Sequence, residues 1–195
     1  MNDAPTPLYF VSPGQVNFLV PMGIPTSGTA EFQVVKKSTG QILASGNAPL
    51  DKISPALFTT NGGASGQVAA INDDGVTPNS PTAMIGRGKV ITLYGTGGGF
   101  VTGAPPDGSA ATGAINTDVQ PPNVRVLIAT DFVPDANISY SGLAPGLPGV
   151  WQVNVKIPDT VLPNPQTAIA VVVNSVSSNQ GKGGVRLSTT IAVKQ

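Results

Sequence analysis

Apolar and polar residues alternate along Trp151-Gln152-Val153-Asn154-Val155-Lys156-Ile157. Trp151, Val153, Val155 and Ile157 share one side, and Gln152, Asn154 and Lys156 share the other. A period of two is that of a strand with one buried and one wet face. The same phrase occurs near the other end of the chain, where Gln15-Val16-Asn17-Phe18-Leu19-Val20-Pro21 matches Gln152-Val153-Asn154-Val155-Lys156-Ile157-Pro158. Four of the seven positions are identical, and only Leu19 against Lys156 differs in kind. Each copy follows a Pro-Gly pair (Pro13-Gly14; Pro148-Gly149) and a run carrying a tyrosine (Tyr9; Tyr140). Each precedes a β-rich run, Ala30 to Val35 and Ala168 to Val173. A unit that recurs in this way predicts two related modules.

Short strands are predicted throughout, at Leu8–Val11, Val16–Val20, Ala30–Lys36, Gln41–Ala44, Leu57–Thr59, Gln67–Ile71, Lys89–Tyr94, Val124–Ile128, Asn137–Tyr140, Trp151–Ile157, Ala168–Val173 and Thr189–Val193. Turn signals separate them, among them Ser38-Thr39-Gly40, Asp74-Gly75, Pro105-Pro106-Asp107-Gly108 and Gly181-Lys182-Gly183-Gly184. No window of useful length has apolar residues at helical spacing without a Gly or Pro interruption. The expected fold class is therefore all-β. Residues 89–195 have the length and strand count of one Ig-like β-sandwich. Its predicted core is Val90, Leu93, Val126, Ile128, Trp151, Val153, Val155, Ile157, Ile169, Val171 and Val173. Residues 61–88, rich in Gly, Ala, Asn and Pro, read as a connector joined to one short hairpin (Leu57–Thr59 with Gln67–Ile71). Residues 1–60 hold about four strands and nothing matching Lys89 to Ile128, so they read as the back part of an Ig-like module.

Composition narrows the function. Only 10% of residues are charged, with ten basic against ten acidic. No basic stripe exists to attract nucleic acid or an anionic membrane. Histidine and cysteine are absent. That removes disulfides, thiol chemistry and imidazole acid–base work. No apolar run approaches the roughly 18 residues of a membrane helix. The opening Met1-Asn2-Asp3-Ala4-Pro5 has no basic and no apolar leader segment. A mature form or an excised segment is expected.

The phrases LYFVSPGQVNFLVP, SPALFTTNG, QVAAINDDG, GRGKVITLYGTGGGFV, YSGLAPGLPGVWQVNVKIP and the final TIAV resemble the Solibacter-type C-terminal domain family over nearly the whole chain. These are uncharacterised domains near the C-termini of large secreted acidobacterial proteins. The final domain is also similar to the IPT/TIG type of Ig-like fold. The resemblance implies an extracellular or cell-surface setting and an accessory, non-catalytic role. It brings no catalytic residues.

Candidate chemistry is sparse. Gly95-Thr96-Gly97-Gly98-Gly99 follows a strand as a phosphate loop would, but lacks the Gly-Lys-Ser/Thr ending and a following helix. A loop crossing the sandwich edge is expected instead. Asn72-Asp73-Asp74-Gly75 offers oxygen ligands for Ca²⁺, with Asp73 and Asp74 the candidate carboxylates. It lacks the alternating acids and distal Glu of an EF-hand, so an Asp-Gly hairpin turn is the expected reading. Asn137-Ile138-Ser139 matches a glycosylation acceptor but lies in a predicted strand. Lys156 and Asn174 fall on predicted adjacent strands, as an intramolecular Lys–Asn crosslink would need, but Lys156 is on the polar face. Serines have no histidine partner, so neither an enzyme nor a cofactor is expected. Trp151 and Tyr140 are read as core aromatics, not a sugar platform.

Two functions fit. One is an assembly module, such as a bacterial surface or filament subunit that self-associates through strands. The other is a carbohydrate- or matrix-binding module of a larger secreted protein. The first puts the contact on residues 1–60, through Leu8, Phe10, Phe18, Leu19 and Phe32. In that reading Phe18 and Val20 face inward and Leu19 outward, which makes both faces of the strand apolar.

Overall fold

A computed structural model describes residues 5–180 and 188–195. The chain divides into two compact units, Met1–Lys52 and Ile53–Gln195. The first holds β1 (Leu8–Ser12), β2 (Gln15–Phe18), β3 (Gly28–Lys36) and β4 (Gln41–Leu50). These form two separate antiparallel hairpins, β1–β2 and β3–β4. Pro13-Gly14 closes the first, with Ser12 opposite Gln15.

The second unit contains β5 (Ala56–Leu57), β6 (Gly66–Gln67), β7 (Ala70–Ile71), β8 (Ile85–Gly86), β9 (Val90–Thr96), β10 (Ile115–Asn116), β11 (Val124–Ile128) and β12 (Asp131–Phe132). It continues with β13 (Ile138–Leu143), β14 (Trp151–Lys156), β15 (Asn164–Val173), β16 (Val176–Ser177) and β17 (Thr189–Lys194). One sheet runs β10-β13-β14-β9-β5, with β7 also on β9. The other runs β12-β11-β15-β17-β6, with β16 on β15 and β8 on β17. One apolar core draws side chains from both sheets, so the unit is an all-β sandwich.

Alternation sets the facing. Trp151, Val153, Val155 and Ile157 are buried, as are Val124, Val126 and Ile128 on β11 and Ile169, Val171 and Val173 on β15. Val90 is the exception among the expected core residues. It is exposed and lies opposite Lys156 on the outer face, while Ile91 and Leu93 point inward. Val90 and Leu93 differ in parity, so one strand cannot bury both.

Residues 61–88 are not a connector. The expected hairpin is present as a bridge between Thr59 and Val68. The segment then feeds both sheets, with β7 antiparallel to β9 and β6 and β8 parallel to β17. Val68, Ala70 and Ile85 enter the core. These strands are two residues long, too short for periodicity to reveal. Buried asparagines hold them instead. Asn79 Oδ1 accepts from the Ala192 amide at 2.7 Å, and its Nδ2 donates to the Ala192 carbonyl at 2.9 Å. Asn179 clamps β5 in the same way, accepting from the Leu57 amide at 2.8 Å and donating to its carbonyl at 3.0 Å. An amide side chain carries one acceptor and one donor group, so it can replace a missing strand neighbour.

Candidate functional site

The two hairpin repeats superpose in register, residue for residue. In β1–β2 the pairs are Leu8 with Phe18, Phe10 with Asn17, Val11 with Val16 and Ser12 with Gln15. In β13–β14 they are Ile138 with Val155, Tyr140 with Asn154, Ser141 with Val153 and Gly142 with Gln152. Both ladders shift register at the same place, between Leu8 and Phe10 and between Ile138 and Tyr140. A bulge inserts one extra residue into one strand of the pair. Tyr9 and Ser139 hold that position, so Phe10, not Tyr9, is the counterpart of Tyr140.

Register also fixes which face is which. Side chains directly opposite one another lie on the same face of a sheet. Leu8, Val11, Val16 and Phe18 therefore match Ile138, Ser141, Val153 and Val155, whose side chains form the inner face of the sandwich. The Phe18 ring meets Phe32 of β3 at a centroid distance of 5.4 Å, so this face looks toward the other hairpin. There the likeness ends. Ile138, Ser141 and Val155 are 8%, 0% and 0% exposed, whereas Leu8, Val11 and Phe18 are 58%, 63% and 39% exposed. Among the described residues of the first unit, only Ala30 is buried.

The reason is missing neighbours. In the sandwich, β14 is flanked by β13 and β9, and β15 by β17 and β11. By order along the chain, β2 corresponds to β14 and β3 to β15. Among the described residues, β2 has only β1 beside it and β3 has only β4. Among its described residues, the first unit thus has the back hairpin of each sheet and no counterpart of β9 or β11.

The expected contact residues fall in different places. Leu8, Phe18 and Phe32 share the inner side, and Leu8 and Phe18 are exposed there. Phe10 is exposed but sits on the opposite face, paired with Asn17. Leu19, expected on an apolar outer face, is half-buried, whereas Val20, expected to face inward, is exposed. β2 ends at Phe18, so strand alternation does not govern Val20. Val11 and Val16 were not legible as contact residues. The pairing of β1 with β2 brings them to the inner face.

The remaining candidates are accounted for by structure. Asp74 accepts from the Val76 and Thr77 amides and from the Thr77 hydroxyl. The Thr77 hydroxyl, followed by these amides, holds its carboxyl below the usual carboxylate range. Its oxygens cap their own turn, with Gly75 donating back to Asn72. Asp73 pairs with Lys89 at 3.5 Å. Among the described residues, no three acidic side chains group as metal ligands. In the glycine run, Gly97 has φ 70° and Gly98 lies flat against Trp151. A Cβ on Gly98 would sit 2.5 Å from the indole. The run therefore packs the sandwich edge. Asn137 donates to the Lys156 carbonyl at 3.2 Å. Lys156 and Asn174 are not on adjacent strands. Lys156 is on β14 in one sheet, and Asn174 follows β15 in the other.

Trp151 is buried and donates to the Ser141 hydroxyl at 3.0 Å. The Tyr140 hydroxyl donates to the Leu143 carbonyl at 2.6 Å, and burial raises its pKa. Neither ring is offered as a sugar platform. No helix among the described residues is long and apolar enough to cross a membrane. The chain matches no protein-family model, no curated protein and no solved structure.

Proposed function

We propose that the chain is a non-catalytic structural module, of the kind that builds bacterial surface layers or filaments. In this reading it self-associates through strand contacts of its N-terminal unit. One observation carries the reading: Leu8, Val11 and Phe18 stand exposed in the register that the second unit buries. Apolar side chains in that register gain about 25 cal/mol per Å² when covered. Two-stranded sheets also leave backbone donors and acceptors at their edges. A contact that answers both needs is favoured, and one that does not close on itself propagates. An extracellular or cell-surface setting fits the near-uncharged composition and the likeness to secreted acidobacterial domains.

Sedimentation velocity tests the proposal. The wild-type chain is expected to shift to larger species as its concentration rises. Phe18→Lys should hold it monomeric, because a lysine in the inner register would bury an unpaired charge in the contact. A wild-type chain that is strictly monomeric at high concentration would overturn self-association. If that monomer were instead retained on polysaccharide, the carbohydrate-binding alternative would replace it.

A further inference from the structure

Resting on that reading of the first unit, we infer that the outer edge of β2 accepts one added antiparallel strand with the residue pattern of β9, supplied by a partner polypeptide. In the second unit, β14 lies between two neighbours. β13 holds one edge in the register shared with β1–β2. β9 holds the other edge, with Leu93 opposite Val153 and Ile91 opposite Val155. The Ile157 amide donates to the Lys89 carbonyl at 2.8 Å, and its carbonyl accepts from the Gly88 amide at 2.8 Å. Backbone groups of successive residues alternate sides in an antiparallel strand. Positions 153, 155 and 157 therefore turn their amides toward β9.

The first unit has the same polarity. The Leu19 amide donates to the Pro7 carbonyl at 2.9 Å, which places residues 15, 17 and 19 on the β1 side. Val16 and Phe18, the counterparts of Val153 and Val155, then direct their N–H and C=O groups to the open edge. The second repeat shows what an identical edge takes. β9 is uncharged from Val90 to Thr96, directs Ile91 and Leu93 inward, and carries Gly95 where the Ala56 carbonyl leaves no room for a Cβ. Placed against β2, its inward aliphatic side chains would lie beside Val16 and Phe18. Main-chain bonds would give affinity, and the alternating apolar side chains would give specificity. The chain's own β9 is not the donor, since β14 holds one of its edges and β5 and β7 the other.

The test uses the full chain labelled with ¹⁵N and a synthetic peptide with the sequence of residues 88–97, carrying terminal lysines for solubility. A scrambled peptide of the same composition is the control. The β9 peptide is expected to give saturable shifts confined to residues 8–20, with Val16 and Phe18 amide exchange slowed about tenfold or more. The scrambled peptide should give none. Val16→Pro removes one outward N–H, a change that edge strands tolerate. It should weaken peptide binding about tenfold or more while the Leu19 amide stays protected.

Equal binding of the scrambled peptide, shifts elsewhere, or undiminished binding to Val16→Pro would overturn the edge assignment. Concentration-dependent self-association that the β9 peptide does not inhibit would also overturn it, and would leave the assembly reading standing. Peptide capture by a chain that never self-associates would support the acceptor edge and remove self-association as its use.

Discussion

Val153→Asp is expected to unfold the second unit. Val153 is buried on the inner face of β14, between Ser141 of β13 and Leu93 of β9. A carboxylate there has no cationic partner among the core residues, which are apolar. Burying it, or protonating it to avoid the charge, costs more than about 4 kcal/mol. Typical domain stabilities of about 5–15 kcal/mol leave little after such a loss. Circular dichroism and thermal melting would show the cooperative transition moved far down or abolished. The matched substitution in the first repeat, Val16→Asp, should leave that transition within about 0.5 kcal/mol of wild type, because Val16 is only half-buried and in the other unit. Equal effects of the two substitutions would contradict the inequality of the repeats.

Asn79→Leu should be the next most damaging change. Its side chain satisfies both backbone groups of Ala192 in the middle of β17, where Ala192 is buried. It also donates to Asn72 and accepts from Gln67. Leucine keeps the volume and offers none of these bonds. Two buried backbone groups left unpaired cost about 2–5 kcal/mol together. Chemical denaturation should report that loss with an unchanged slope, since the surface exposed on unfolding is the same. A loss below about 0.5 kcal/mol would mean that residues 61–88 are held by their apolar side chains alone.

These two residues also show what sequence makes legible. Val153 could be placed from alternation alone, because a strand covered on one face writes its burial into its own order. The repeat was legible for the same reason, and its two copies place Gln, Val and Asn at matching sites of two hairpins. Asn79 gave no such sign. A buried asparagine that stands in for a strand is written as one polar residue in a polar loop, and its partner Ala192 lies 113 positions away. The bulges at Tyr9 and Ser139 were equally silent. They moved the match of Tyr140 from Tyr9 to Phe10, since bulging depends on pairing and not on residue type. Val90 was misplaced because an all-apolar start to β9 does not declare its parity. In the candidate site, Leu8, Phe18 and Phe32 were legible as large apolar residues of an incomplete unit. The half-burial of Leu19 was not legible, since β2 stops one residue before it.

Amide hydrogen exchange on the dilute full chain tests the central claim, that β2 is an open counterpart of β14. Val153 and Val155 should exchange slowly, close to the rate of global opening, because β9 covers their edge. Val16 and Phe18 should exchange far faster than Val153 and Val155, while the Leu19 amide, bonded to the Pro7 carbonyl, stays slower than Val16 and Phe18. Protection of Val16 and Phe18 equal to that of Val153 and Val155 in the dilute monomer would contradict the account.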